Sequence, residues 1–315
     1  MSTANAIVEQ AQPDFRSILF ATDYSTAAGG ASEWLKVVAK QLGSAIVLTH
    51  FKQIEGTRHA GEQPVQLEDT DGRLQAVRNE LCRTGDPSVS IAPFQLKHEM
   101  PFAAAAFEAQ LREIIDANSI DLIVLGTHAR QGLKKLALGS FAEGVFRHAD
   151  VPVLVIGPKA AATAPPQAPH KVLFATDFER ESIEALPLAA AFAKQLRASL
   201  VLLNVNQAPR LVKEREDAVN ESVDRLRRLA ERFAISGATL VGLQGNPTKQ
   251  IARYIKQESI STVVLGIRSA EYEDAVAMHI PTLVGNLISS VTCSVLTFRG
   301  KYQSHGYQAR PTSGF

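Results

Sequence analysis

The feature that most constrains this chain is an internal repeat. The segment KVLFATDF at 171–178 restates SILFATDY at 17–24, at an offset of 154 residues. Segments with the pattern of helices and strands follow both copies in the same order. A repeat of this length is a complete structural unit, so the 315 residues predict two domains built on one plan.

Each copy alternates short apolar runs with longer amphipathic segments. The run at 120–125 is apolar apart from Asp121 and ends at Gly126, as expected for a strand buried on both faces of a parallel sheet. Strands that alternate with helices favour right-handed β-α-β crossovers. The sequence therefore predicts an α/β protein with two tandem, doubly wound, Rossmann-like domains, each with a five-stranded parallel sheet.

Composition argues against several classes of function. Hydrophobic residues make up 45% of the chain and charged residues 21%, which is typical of a globular protein with large cores. The net charge of +1 argues against a nucleic-acid or membrane-surface partner. Cys82 and Cys293 lie far apart without metal-ligand spacing, so we expect buried or half-buried free thiols in a reducing compartment. We see no signal peptide and no run of about 18 apolar residues, which predicts a cytoplasmic location.

The loop after the 120–125 strand has the character of an anion site. It contains Arg130, Lys134 and Lys135 and no acidic residue, and Gly139-Ser140 then open a helical pattern. Glycine allows the backbone to approach a ligand closely, and the free N–H groups of a helix start attract an anion. These features fit a phosphate cradle. An ordinary strand-loop-helix connection with a basic surface loop is an equal alternative.

The spacing in this loop resembles the nucleotide loop of the universal stress protein (UspA-like) family. The family loop reads Gly-x2-Gly-x9-Gly-Ser/Thr, and here Gly126, two residues, Ala129 and nine residues precede Gly139-Ser140. The segment VPVLV at 151–155 is similar to the family's last strand. The resemblance implies the adenine nucleotide alpha hydrolase-like fold and an ATP site, with or without Mg²⁺, in the first copy. The residues that match the family's nucleotide-binding positions are Asp23, Phe51, Leu125, Gly126, His128, Ala129, Gly139, Ser140 and Phe141.

Most of these positions also have a structural interpretation. Asp23 would accept hydrogen bonds from ribose hydroxyls or would brace a strand-to-helix turn. Phe51 would stack on the adenine or fill the pocket, and Ser140 would contact a phosphate or cap a helix. His128 would contact the ligand or be an ordinary loop residue. Ala129 stands where the family has glycine, and its Cβ would restrict the backbone there.

The second copy keeps only part of the pattern. Asp177 and Gly266 match the aspartate and the first glycine, but Ser269 and Pro281 replace the other two glycines, and the spacing between them grows from nine to eleven residues. Proline has no N–H to offer a phosphate. Residues 267–280 contain one basic and three acidic side chains, which would repel a triphosphate. The sequence therefore predicts one nucleotide site per chain and a second copy that serves structure or partner contact.

The chain divides into two domains, a linker and a tail. We place the first domain at 1–157, an Ala/Pro-rich linker at 158–169, the second domain at 170–300 and the tail at 301–315. The linker has no apolar periodicity, and we expect it to be extended. The final strands of the two copies, at 153–156 and 295–298, are expected to pair edge to edge and to form an intramolecular pseudo-dimer. A homodimer and an unidentified signalling protein are further expected partners.

The leading functional hypothesis is an ATP-binding protein of stress response or signalling. Two alternatives stay open: an interaction or scaffold protein that binds no nucleotide, and a slow ATPase or nucleotidyl transferase-like enzyme. We find no nucleophile-base pair, paired-carboxylate motif or metal-ligand cluster in the sequence. We therefore expect at most slow ATP hydrolysis by a bound water.

Overall fold

The structure is a computed structural model that describes residues 14–22, 24, 26–50, 68–82, 88–91, 104–127, 140–168, 170–207, 212–267 and 282–299. The strands are β1 Ser17–Thr22, β2 Ala45–His50, β3 Val89–Ile91, β4 Leu122–Gly126, β5 Val153–Ile156, β6 Lys171–Ala175, β7 Ser199–Asn206, β8 Thr239–Gln244, β9 Thr262–Ile267 and β10 Ser294–Arg299. The helices are α1 Thr26–Leu42, α2 Glu68–Cys82, α3 Ala104–Ala117, α4 Ser140–His148, α5 Pro158–Ala161, α6 Arg180–Glu184, α7 Leu186–Gln195, α8 Val212–Arg232, α9 Pro247–Glu258 and α10 Thr282–Ser290.

These strands form one sheet with the order β3-β2-β1-β4-β5-β10-β9-β6-β7-β8. Each half contributes five strands in the same relative order, and all pairs within a half are parallel. The prediction of two tandem, doubly wound units is therefore confirmed. The halves meet where β5 pairs antiparallel with β10, with Val155 opposite Val295 and Val153 opposite Thr297. This is the pairing of final strands that the sequence predicts.

Helices cover both faces of the sheet and bury two cores. The α1-side core receives side chains from α1, α2, α5, α7 and α8, among them Trp34, Leu35 and Phe192. The α4-side core receives side chains from α3, α4, α9 and α10, among them Phe107 and Val145. Side chains along each strand alternate between the two cores, as strand geometry requires. Both cores contain residues of both halves, so the halves share their hydrophobic interior.

The segment between the halves is folded at its start, and the prediction of an extended linker was wrong for residues 158–161. These residues form the short helix α5, because Pro158 suits the first turn of a helix and alanine and lysine are strong helix formers. The indole Nε1 of buried Trp34 donates to the carbonyl oxygen of Ala160 at 3.1 Å. A bond to a residue so distant in sequence could not be read from the linker's own composition.

Two glycines allow neighbouring helices to approach α5 closely. A Cβ at Gly157 would lie 1.9 Å from the carbonyl oxygen of Ile288 in α10. A Cβ at Gly30 in α1 would lie 2.6 Å from the Cβ of Ala161. Only a residue without a side chain fits at either position. The helix α5 is thus held between α1 of the first half and α10 of the second.

Side chains also connect the halves away from the sheet. The rings of Phe15 and Phe192 pack edge to face with centroids 5.3 Å apart. The side-chain oxygen of Gln195 accepts a hydrogen bond from the N–H of Phe15 at 3.3 Å. Gln41 of α1 hydrogen-bonds the ring Nε2 of buried His170. These contacts fix the second half against the N-terminal part of the first.

Two further details differ from the sequence pattern. Residues 180–197 have the pattern of a single helix, but α6 ends at Glu184 and α7 begins at Leu186, because Pro187 has no N–H to donate to the preceding turn. Cys82 is exposed rather than buried or half-buried, because the adjacent Leu81 occupies the core-facing position of α2. Cys293 is buried as expected, and burial raises the pKa of its thiol to about 12.

Candidate functional site

The candidate site lies at the carboxyl ends of β1, β2 and β4. In open α/β sheets, ligands bind outside this edge. The register pairs Ala21 of β1 with both Thr49 of β2 and Leu125 of β4, so these three side chains share the face covered by α3 and α4. The helix α4 begins at this edge with Ser140. Because α4 ends at His148, shortly before β5 begins at the opposite edge, its free N–H groups and the positive end of its dipole face the carboxyl edge.

Two buried hydroxyl groups at this edge lack hydrogen-bond partners. Thr49 is 0% and Thr127 2% exposed, and within the described part of the chain neither Oγ1 has a partner. Thr127 lies two residues beyond Leu125, and its N–H continues the ladder to the carbonyl oxygen of Ile156 at 3.1 Å, so its side chain lies on the same face as Thr49. An unpartnered buried hydroxyl costs about 1–3 kcal/mol. A polar ligand that contacts both groups would explain their presence.

The second half has apolar residues at both equivalent positions. Ala175 pairs with Leu203 as Ala21 pairs with Thr49, so Leu203 is the counterpart of Thr49. By the same register on β9, Ile267 is the counterpart of Thr127. Leu203 and Ile267 are buried in the α4-side core. The fold thus accepts apolar side chains at these positions. The requirements of folding therefore do not account for the two hydroxyls of the first half.

The opposite face of the same edge carries an aromatic and cationic cluster. Tyr24 has a φ of 60°, and its N–H donates to the hydroxyl of Thr22 at 3.1 Å. Its ring lies 4.3 Å from the ring of His50, and the guanidinium carbon of Arg73 lies 4.8 Å from its centroid. Nδ1 of His50 donates to the carbonyl oxygen of Thr22 at 2.7 Å. The polar groups of this corner are therefore largely occupied by one another.

The second half repeats this corner with different residues. Phe178 has a φ of 65°, and its N–H donates to the hydroxyl of Thr176 at 2.9 Å. The guanidinium carbon of Arg225 lies 3.9 Å from the ring centroid of Phe178. Asn204 stands in place of His50 and donates to the carbonyl oxygen of Thr176 at 2.8 Å. Because both halves have it, this corner is a property of the fold rather than of a ligand site in one half.

The family-like residues of the second half have structural roles. Oδ1 of Asp177 accepts hydrogen bonds from the N–H of Glu179 at 3.0 Å and from the hydroxyl of Ser182 at 2.6 Å, which braces the turn into α6. A Cβ at Gly266 would lie 2.3 Å from the carbonyl oxygen of Glu181, so glycine is required by the close packing of α6 on β9. Both residues are explained without a ligand.

The structure describes four of the nine site residues that the sequence predicts. Leu125 is 2% exposed and packs in the α4-side core, and Gly126 ends β4 beside it. Ser140 and Phe141 form the first turn of α4. The structure therefore shows the strand end and the helix start that flank the predicted loop, and the binding roles of these four residues stay predictions. Asp23, Phe51, His128, Ala129 and Gly139 lie outside the described residues, and their roles stay predictions.

Reasoning from the sequence missed Thr49 and Thr127. Threonine is an ordinary strand residue, so neither position stands out within its own segment. A comparison of the two copies would have distinguished both positions, because the second copy has Leu203 and Ile267 in the places of Thr49 and Thr127. Only the burial and the missing hydrogen-bond partners distinguish these hydroxyls from typical strand threonines.

The fold and the site together define a class of protein: a tandem, doubly wound α/β protein with a candidate ligand site at the carboxyl edge of its first sheet half. The profile of the universal stress protein family matches residues 14–157 and 169–299, which is most of the chain. The chain therefore belongs to the universal stress protein family. Each helix in the described part of the chain is too short or too polar to span a membrane.

Known relatives agree with this assignment. Universal stress protein MJ0577 of Methanocaldococcus jannaschii is 22% identical over 163 residues, which cover 45% of this chain and 94% of that protein. The crystal structure of a universal stress protein from Archaeoglobus fulgidus superposes with a TM-score of 0.62 at 18% identity, covering 90% of this chain and 98% of that one. A putative universal stress protein from Pseudomonas aeruginosa gives a TM-score of 0.57 at 18% identity, with 90% and 93% covered. At these identities the structural likeness concerns the fold alone.

Proposed function

We propose that this universal stress protein binds one adenine nucleotide per chain, ATP with Mg²⁺, in its first half, and that it acts in cytoplasmic stress response or signalling. The observation that supports this most is the pair of buried hydroxyls of Thr49 and Thr127, which have no partners among the described residues and which the second half replaces with Leu203 and Ile267. A ligand with polar atoms along its length would satisfy both.

The residues of the first half fit such a ligand. The start of α4 supplies N–H groups at the strand edge, and the preceding loop contains three basic and no acidic side chains between 127 and 138. Both features favour the triphosphate. Thr127, next to this loop, would hydrogen-bond the nucleotide on the α4 side. We assign binding rather than catalysis to these groups, with slow hydrolysis by a bound water as the alternative.

We propose that the second half is a structural and interaction partner of the first. Asp177 is held by its own turn and Gly266 is covered by α6, which supports the absence of a second nucleotide site. The antiparallel pairing of β5 with β10 and the packed helix α5 support an intramolecular pseudo-dimer that stays assembled in solution. A signalling protein would then contact this two-part surface.

Calorimetric titration with Mg-ATP tests the nucleotide assignment. We expect one site per chain; two equivalent sites, or no binding at millimolar ATP, would contradict it. The substitution Thr127→Val keeps the shape of the side chain but removes its hydroxyl. It should weaken ATP binding and also stabilise the ligand-free protein, because the unpartnered hydroxyl costs about 1–3 kcal/mol. Thr239→Val, on the exposed start of β8, is the matched control and should change neither quantity.

A further inference from the structure

The position of Thr49 suggests that its hydroxyl contacts a particular part of the ligand. Thr49 lies on β2, and the phosphate-binding features follow β4, with β1 between them. Two strand spacings separate β2 from β4, about 10 Å in total. A nucleotide whose phosphates contact the start of α4 is long enough to reach β2 with its base.

The surroundings of Thr49 are otherwise apolar. Across the register its neighbour is Ala21, and beyond that Leu125, both buried in the α4-side core. On its own strand, Val47 precedes it on the same face. The side chains of Thr22 and His50 lie on the opposite face, where Nδ1 of His50 donates to the backbone carbonyl oxygen of Thr22 and the hydroxyl of Thr22 accepts from the N–H of Tyr24. Among the described residues at the carboxyl ends of β1, β2 and β4, Thr49 is thus the polar side chain available to a base on this face.

We propose that Thr49 is a specificity-determining residue, whose hydroxyl hydrogen-bonds the exocyclic amino group of the nucleotide base. This inference rests on the proposed nucleotide site in the first half. A buried hydroxyl without a partner rejects ligands that leave it unpaired, and it favours ligands that supply a complementary polar atom. The counterpart Leu203 shows that the fold accepts an aliphatic side chain here, so the hydroxyl is available for selection of the ligand.

A comparison of two ligands on three proteins tests the role. The ligands are ATP and purine riboside 5′-triphosphate, which lacks the amino group on the six-membered ring. The proteins are the natural chain, Thr49→Val, which removes the hydroxyl but keeps the shape, and Thr49→Ser, which keeps the hydroxyl. Thr239→Val again serves as a control on an exposed strand position. Dissociation constants are measured by calorimetry with Mg²⁺ present, and thermal unfolding confirms that each variant is folded.

The natural protein and Thr49→Ser should prefer ATP over the analogue by about tenfold, the effect of one buried hydrogen bond. Thr49→Val should bind both ligands about equally, mainly because its ATP affinity falls. If Thr49→Val kept the preference for ATP, or if the natural protein bound both ligands equally, the role of Thr49 would be refuted while the nucleotide site stood. Failure of both ligands to bind the natural protein would instead refute the proposed function, and this inference with it.

Discussion

Two adjacent glycines in α1 allow a direct test of how firmly α5 is packed. Gly29 has no atom within 4 Å of where a Cβ would be, whereas a Cβ at Gly30 would lie 2.6 Å from the Cβ of Ala161 and 2.8 Å from its carbonyl oxygen. Both glycines are within the same helix. Alanine therefore changes the unfolded chain and the helix propensity almost equally at the two positions. Any difference between the variants reports the contact with α5.

Gly29→Ala should stabilise the protein by about 1 kcal/mol, the advantage of alanine over glycine within a helix. Gly30→Ala gains the same propensity but must displace the backbone of α5, and overpacking of this kind costs about 1–3 kcal/mol. We therefore expect the free energies of unfolding of the two variants to differ by about 1–3 kcal/mol, with Gly30→Ala the less stable. Urea unfolding followed by the fluorescence of Trp34, the single tryptophan, measures this difference close to the contact. Equal stabilisation by both substitutions would refute the docking of α5 on α1.

Two other predictions concern the loop and the interface. Ala129→Gly restores the family glycine and should tighten ATP binding by up to about tenfold if roughly 1 kcal/mol of backbone strain is relieved; weaker binding, measured by calorimetry, would mean that the loop has another conformation. Burial lowers the pKa of His170 below its usual range, so the unfolded chain binds more protons at mildly acidic pH. The contribution of neutral His170 to the free energy of unfolding should therefore be fully present above about pH 6.5 and should decrease as the pH falls below that value. Urea unfolding between pH 5 and 8 should show a smaller decrease for His170→Gln, and an identical decrease would exclude His170 as the cause.

The periodic features of the sequence predicted the fold well, because buried parallel strands and amphipathic helices leave local patterns. The repeat of the first-strand sequence at 171–178 was enough to predict a second domain built on the same plan. The apolar final strands indicated the junction between the halves. The linker was different. Its helix depends on Pro158 and on a hydrogen bond from Trp34, a residue more than a hundred positions away, and no local pattern reports such a bond.

The sequence allowed site residues to be proposed only where a family motif spans the chain. Gly126 and Ser140 were proposed from loop spacing; the structure shows that Gly126 ends β4 and that Ser140 begins α4, and their contact with a nucleotide stays a prediction. Thr49 was not identified, because its significance depends on burial and on a missing hydrogen-bond partner, and both are properties of the packed structure. Leu125 was predicted to contact the ligand, a role that stays a prediction, and the structure shows its side chain packed in the α4-side core. Whether a residue that matches the family motif contacts the ligand and whether it packs in the core are therefore separate questions, and each needs its own test.

The antiparallel junction of β5 with β10 has a consequence for how the protein can evolve and be regulated. Two identical chains that pair in this way must carry identical sites, and their association depends on concentration. Here the two partners are covalently joined, so one always accompanies the other even in very dilute solution. Each half is also free to change independently, as the threonine pair of the first and the leucine and isoleucine of the second illustrate. The chain therefore contains two different halves in a fixed one-to-one ratio, and under the proposed function the first would bind the ligand while the second supplies a distinct surface.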